Sequence, residues 1–147
     1  MSLGYDWEYL KLGKFTYNVL SQSQIRPFLM EWLKREWEID KNEFPDQPWS
    51  LEWLDILQRM DFSLEILQLQ EIRLRQELMD YKSDTYNFSE ELRKRANERE
   101  ESLLRGVSME PLVVNGDNME LMDGYTRYMV LRDYQEENVY AYVGRIR

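Results

Sequence analysis

The chain has 147 residues, 43% hydrophobic and 32% charged, with a formal net charge of −9 and neither cysteine nor histidine. That length carries one core, with or without an appendage, and that balance is the balance of a globular protein. Without Cys and His there is no disulfide framework, thiolate zinc site, thiol nucleophile or imidazole base, and the acidic surplus argues against free duplex DNA, whose phosphates need clustered Lys and Arg.

No apolar run approaches the length of a membrane span, and the N-terminus lacks the shape of a signal peptide, so a cytoplasmic location without membrane contact is expected. Residues 5–20, YDWEYLKLGKFTYNVL, are rich in aromatics but follow no clean period. Gly13 ends any long helix there, and a short helix with a turn fits as well as a strand. The first firm element is a helix over Gln24–Glu38, with Ile25, Phe28, Leu29, Trp32, Leu33 and Trp37 on one face. Ser21 or Ser23 can cap it, and Pro27 is expected in its first turn, where a missing N–H is harmless. The loop Asp40–Trp49 holds Pro45 and Pro48. Ser50 then caps a second helix, Leu51–Met60, with Leu51, Leu54 and Leu57 turned inward. All five Trp fall within the first 53 residues. They suit a stacking surface for bases or sugars, or a joint made by Trp32, Trp37, Trp49 and Trp53 between the two helices. Helical spacing favours the joint. Beyond packing, these aromatic-rich helices are expected to offer a surface for a protein partner.

Residues 63–72, SLEILQLQEI, fit a strand and a helix about equally by period, and their Leu/Glu/Gln content favours helix. Asn87-Phe88-Ser89-Glu90 is a capping box that opens a helix over Ser89–Arg105, closed by Gly106. Leu92, Ala96, Leu103 and Leu104 are its apolar positions. The cluster Arg93, Lys94, Arg95 is interleaved with Glu90, Glu91, Glu98, Glu100 and Glu101, which reads as a solvated face. Asn115-Gly116-Asp117-Asn118 is a hairpin turn between Pro111–Asn115 and Met119–Met122.

The sharpest signal follows. Asp123-Gly124 makes a tight turn into a helix over Tyr125–Tyr134, whose buried face is Tyr128, Met129 and Leu131. Glycine lets the backbone turn sharply and lets a ligand approach it. The helix start offers free N–H groups and partial positive charge. Arg127 stands in that first turn against the dipole, which makes sense if an anion is there too. Asp123, Gly124, Tyr125, Thr126 and Arg127 therefore form a candidate seat for a phosphate or carboxylate, built from backbone N–H groups, the Thr126 hydroxyl and Arg127. The competing reading is a structural turn, with Asp123 as helix cap and Arg127 paired to a nearby carboxylate.

The ordered set Met109–Gly144, MEPLVVNGDNMELMDGYTRYMVLRDYQEENVYAYVG, resembles the second half of a ParB/sulfiredoxin-like domain. In that superfamily a Pro-Leu-Val-Val strand, a hairpin, a Gly-x-x-Arg box at a helix start and a closing strand follow one another, the last here at Asn138–Gly144. The resemblance implies that the domain opens with a strand at Leu64–Leu69. It tilts the box toward anion binding. Sulfiredoxins carry their catalytic Cys directly after the box glycine; Tyr125 stands there, which excludes sulfinic-acid reduction. ParB proteins use a Gly-Glu-Arg-Arg box for a nucleoside triphosphate; only Gly124 and Arg127 match, and no helix-turn-helix module accompanies them, so chromosome partitioning is not expected. Relatives that phosphorylate free serine have an Asp-Gly-His-x-Arg box, with Tyr125 here at the His position. By the same resemblance Glu77, after the first strand, is a candidate general base for a hydroxyl nucleophile, set against the plainer reading of a solvated Glu. A Mg²⁺ ion would use carboxylates such as Asp123, Glu120 or Glu77 together with substrate phosphates, and no metal ligand set is assigned.

The expected fold class is α+β: a small mixed β-sheet with flanking helices of ParB/sulfiredoxin-like type over residues 61–147, and an N-terminal α-helical extension over residues 1–60. The expected function is binding of a nucleotide or other phosphate-containing small molecule, with Mg²⁺ as companion and phosphotransfer as the reaction class to test. The alternative is a non-enzymatic interaction domain in which the box is only a turn.

Overall fold

The computed structural model describes residues 4–43 and 51–147. Residues 40–43 of the expected loop Asp40–Trp49 are helical instead, and its remainder and the Ser50 cap fall outside the described residues, as do the side chains of Leu51 and Trp53. The chain opens with an antiparallel hairpin, β1 (Trp7–Leu12) and β2 (Phe15–Leu20), turning at Gly13. Two helices follow, α1 (Gln22–Glu43) and α2 (Leu51–Gln58), then β3 (Met60–Gln68), the four-residue helix α3 (Gln76–Met79) and the long α4 (Phe88–Leu104). The last part is β4 (Leu112–Asn115), β5 (Glu120–Asp123), α5 (Tyr125–Asp133) and β6 (Asn138–Ile146). Strands β3 to β6 form one mixed sheet in the order β3-β6-β4-β5; β6 runs antiparallel to β3 and parallel to β4, and β5 returns antiparallel to β4. The class is α+β, as expected. Among the described residues no helix is long and apolar enough to cross a membrane.

The N-terminal segment is not helical throughout. The stretch left open between helix and strand is the β1–β2 hairpin, because Phe15, Tyr17 and Val19 alternate inward at the period of a strand. They join the core formed by α4, α5 and one face of the sheet, and Tyr17 bridges to Met109. Helix α1 starts two residues earlier than its periodicity suggests, so Pro27 lies in the second turn and removes one internal hydrogen bond. The helix continues through it because Ile25, Leu29, Leu33 and Trp37 are buried on one face. Residues 60–68 form a strand against their helix propensity, since β6 pairs with every one of them. Pairing and burial outweigh a preference of a few tenths of a kcal/mol per residue.

Both faces of the sheet centre are covered, which explains the continuous apolar runs of β4 and β6. Leu112, Val114, Ala141 and Val143 face the core with α4 and α5. Val113 and Tyr142 face a second core with α1 and α2. The Tyr142 hydroxyl accepts the Leu20 N–H at 3.0 Å, and burial pushes its pKa up to about 12. Tyr142→Phe should leave that buried N–H unsatisfied and lower stability by about 1–3 kcal/mol in a urea titration.

Candidate functional site

β5 delivers the chain to Gly124, which takes φ 101° and ψ 29°, and α5 starts at the next residue. Glycine itself occupies the cap position, so the helix start has no side-chain cap. Asp123, the expected cap, instead places Oδ2 3.3 Å from Nη2 of Arg127, one helical turn ahead. The same Nη2 donates to the Pro111 carbonyl at 3.3 Å. The guanidinium thus lies folded across the turn. A Cβ at Gly124 would meet Arg127 Nη2 at 2.7 Å and Leu112 Cδ2 at 2.9 Å. Glycine is required here by the backbone angle and by the arginine together. The Arg127 side chain is only 12% exposed, and its Nε is buried without a hydrogen-bond partner among the described residues. Two long bonds and one bare N–H leave this cation incompletely satisfied.

Tyr125 is used structurally. Its hydroxyl donates to the Leu121 carbonyl at 3.1 Å and accepts the Arg75 N–H at 3.0 Å, and its ring meets Phe88 edge-on at 5.8 Å. Burial pushes its pKa up to about 12, so it stays neutral at ordinary pH. The hydroxyl is directed to the loop after β3, which itself pairs with β5 through Arg73 and Glu120. Thr126 is half-buried and lines the cleft described next. Glu77 does not. It sits in α3 with its side chain 73% exposed, 3.5 Å from Arg75.

The box forms the floor of a cleft of about 690 Å³, within the usual range for small-molecule sites. One wall is α4, with Arg95 and Arg99; the other is α1, with Trp32 and Glu36; Glu110 lies beside the floor. Apart from Trp32 and Arg95, none of these stood out in the sequence. Arg95 looked like part of a solvated face, yet Arg95 and Arg99 are an i, i+4 pair next to the buried Leu92–Ala96 row. Glu110 could have been noticed as a lone charge directly ahead of a strand buried on both faces. Glu36 lies one turn after Trp32 on α1 and shares its side of the helix.

The cleft mixes signs. Burial raises the Glu110 pKa above its ordinary 4.5, Arg127 and Arg99 oppose that, and Asp123 and Glu36 add to it. Burial likewise raises Glu36, reinforced by Asp123 and opposed by Arg95, Arg127 and Arg35. A carboxyl with a raised native pKa favours the folded state when protonated; its contribution is full below the unfolded value and is lost as pH rises through the native one. Glu110→Gln should therefore unfold at a higher urea concentration than the parent at pH 7. The difference should shrink as pH falls through the raised native value and be gone below the ordinary glutamate value of 4.5. A gap independent of pH would contradict this assignment. Among the described residues no three His, Cys, Asp or Glu side chains are grouped to hold a metal, and of the carboxylates considered for Mg²⁺, Asp123 alone lines the cleft.

Two solved structures are similar to part of this chain. One is described as the structure of the pNOB8-like ParB N-domain, with TM-score 0.43, 17% identity, and coverage of 60% of this chain and 29% of that one. The other is the C2221 form of the Pnob8-like ParB-N domain, with TM-score 0.44, 18% identity, and coverage of 60% and 31%. The matched part spans less than a third of either of those chains. No protein-family model matches, and no curated protein does.

Proposed function

We propose that the protein binds a phosphorylated small molecule, a nucleotide with Mg²⁺, in the cleft floored by the Asp123–Arg127 box. The observation that supports this reading is the incompletely bonded Arg127 guanidinium beside the free N–H groups at the start of α5. A phosphate oxygen would take the remaining donors and compete with Asp123 for Nη2. Asp123 and Glu110 would repel a bare phosphate, so a cation shared between those carboxylates and the phosphate oxygens fits the site better than phosphate alone. Phosphotransfer is not part of the reading, because Glu77, the candidate base, stands outside the cleft.

The interaction-domain reading has its own support: the Asp123–Arg127 pair satisfies the turn partly from within the chain. Thermal-shift titration separates the two. Nucleoside triphosphates and inorganic triphosphate, at millimolar concentration with and without Mg²⁺, should raise the melting temperature by several degrees, since saturation a hundredfold above Kd adds about 2.7 kcal/mol. Absence of any shift would favour the interaction domain.

A further inference from the structure

The α1 wall narrows the ligand class, if the nucleotide reading above holds. Among the described residues Trp32 ends a row of rings at the cleft: Tyr5 and Trp7 stand edge-on to Phe28 at 5.4 and 5.2 Å, and Phe28 stacks on Trp32 at 6.1 Å with 13° between planes. Such a row holds its last ring in place, which suits it as a platform for a flat aromatic ligand. Glu36 follows one turn later and lines the same cleft. Among the described residues its carboxylate makes no hydrogen bond or ion pair. Burial and the Asp123 charge disfavour its ionised form, and the charges of Arg95, Arg127 and Arg35 only partly offset them. A half-buried carboxylate without a donor is a deficit that a ligand with N–H groups removes.

A ring platform with a bare carboxylate beside it is the chemistry of nucleobase recognition. A carboxylate only accepts, and it can accept two hydrogen bonds side by side. Guanine presents two adjacent donors, N1–H and the 2-amino group, on one edge. Adenine and cytosine present one amino donor next to a ring nitrogen whose lone pair repels a carboxylate. Uracil has one N–H between two carbonyls. We infer that the cleft is a guanine-nucleotide site, with the base on Trp32, its donor edge on Glu36, and its phosphates toward Arg127 and the start of α5.

The test is calorimetric titration of the whole chain with Mg²⁺ and four ligands: GTP, ITP, ATP and inorganic triphosphate. ITP lacks only the 2-amino group. GTP should bind about ten- to a hundredfold more tightly than ITP or ATP, the range for hydrogen bonds to a charged group. Glu36→Gln should bring GTP to the ITP level without weakening inorganic triphosphate. Trp32→Leu should weaken all three nucleotides and spare inorganic triphosphate. The comparison of GTP with ITP in the unmodified protein needs no variant and stands even if one fails to fold. Equal affinity for GTP, ITP and ATP, with inorganic triphosphate still bound, overturns the guanine assignment and leaves the phosphate reading intact. No binding of any of the four overturns both.

Discussion

Arg127→Ala is expected to remove the nucleotide-dependent rise in stability completely and to lower the stability of the ligand-free protein by about 1–3 kcal/mol. The second figure follows from the geometry of the pair. Breaking a fully buried ion pair strands a charge at a loss of about 3–5 kcal/mol. Here Asp123 is 31% exposed and the contact is 3.3 Å, so water recovers part of that loss. Adding Asp123→Asn to Arg127→Ala should restore part of the ligand-free stability, because no charge is then stranded, and restore none of the ligand response. Urea titrations of both variants, with and without nucleotide and Mg²⁺, measure all four quantities. A large ligand-free loss with an unchanged ligand response would sink the anion seat and leave the structural turn.

Gly124→Ala should be more damaging to the fold, by about 2–5 kcal/mol. A left-handed residue with a Cβ is strained by about 1–2 kcal/mol, and the new methyl adds an overpacking term of about 1–3 kcal/mol. Its contacts would be the trapped guanidinium and the fully buried Leu112. Gly106 provides the internal control. It has φ 99° and nothing within 4 Å of the place a methyl would take, so Gly106→Ala should show the backbone term alone. The difference between the two alanine variants isolates the contact with Arg127 and Leu112. Gly124→Ala should also blunt the nucleotide response, because the guanidinium has to move. If the two glycines prove equally replaceable, Arg127 does not lie across the turn in solution.

The elements that could be read from the sequence are those whose local signals agreed. The capping box does cap α4, with the Asn87 side chain accepting the Glu90 N–H at 3.1 Å. The helices over 22–43, 88–104 and 125–133 follow their apolar period, and the hairpin at residues 115–118 follows its turn chemistry. The resemblance to a ParB/sulfiredoxin-like domain supplied what period could not, the strand at Leu64–Leu69, seen in β3 as far as Gln68, with Leu69 already in a 3-10 turn. The Trp joint is only partly visible: Trp37 is buried, Trp32 is half-buried at the cleft, and Trp49 lies outside the described residues. The box was legible as a site because its five residues are contiguous. Its surroundings were not, because Glu36, Arg95, Arg99 and Glu110 come from three separate segments that only the tertiary fold brings together. No periodicity marks a charge that faces a cleft rather than solvent. Arg127 was noticed for opposing the helix dipole, and its counter-charge proved to be the neighbouring Asp123.

The position of β6 at the centre of the sheet sets the order in which this protein can be built. It is the neighbour of both β3 and β4, and its partners on β3 lie about eighty positions earlier in the chain. Without it β3 has no partner in the sheet, and the β4–β5 pair has an open edge with apolar groups on both sides. A ribosome emitting residues 60–123 therefore releases a chain whose sheet cannot yet close. Assembly waits for the final strand, and the long loop closure makes it slow for a domain of this size. During that interval the exposed strand edges are the part of the molecule most open to pairing with another chain.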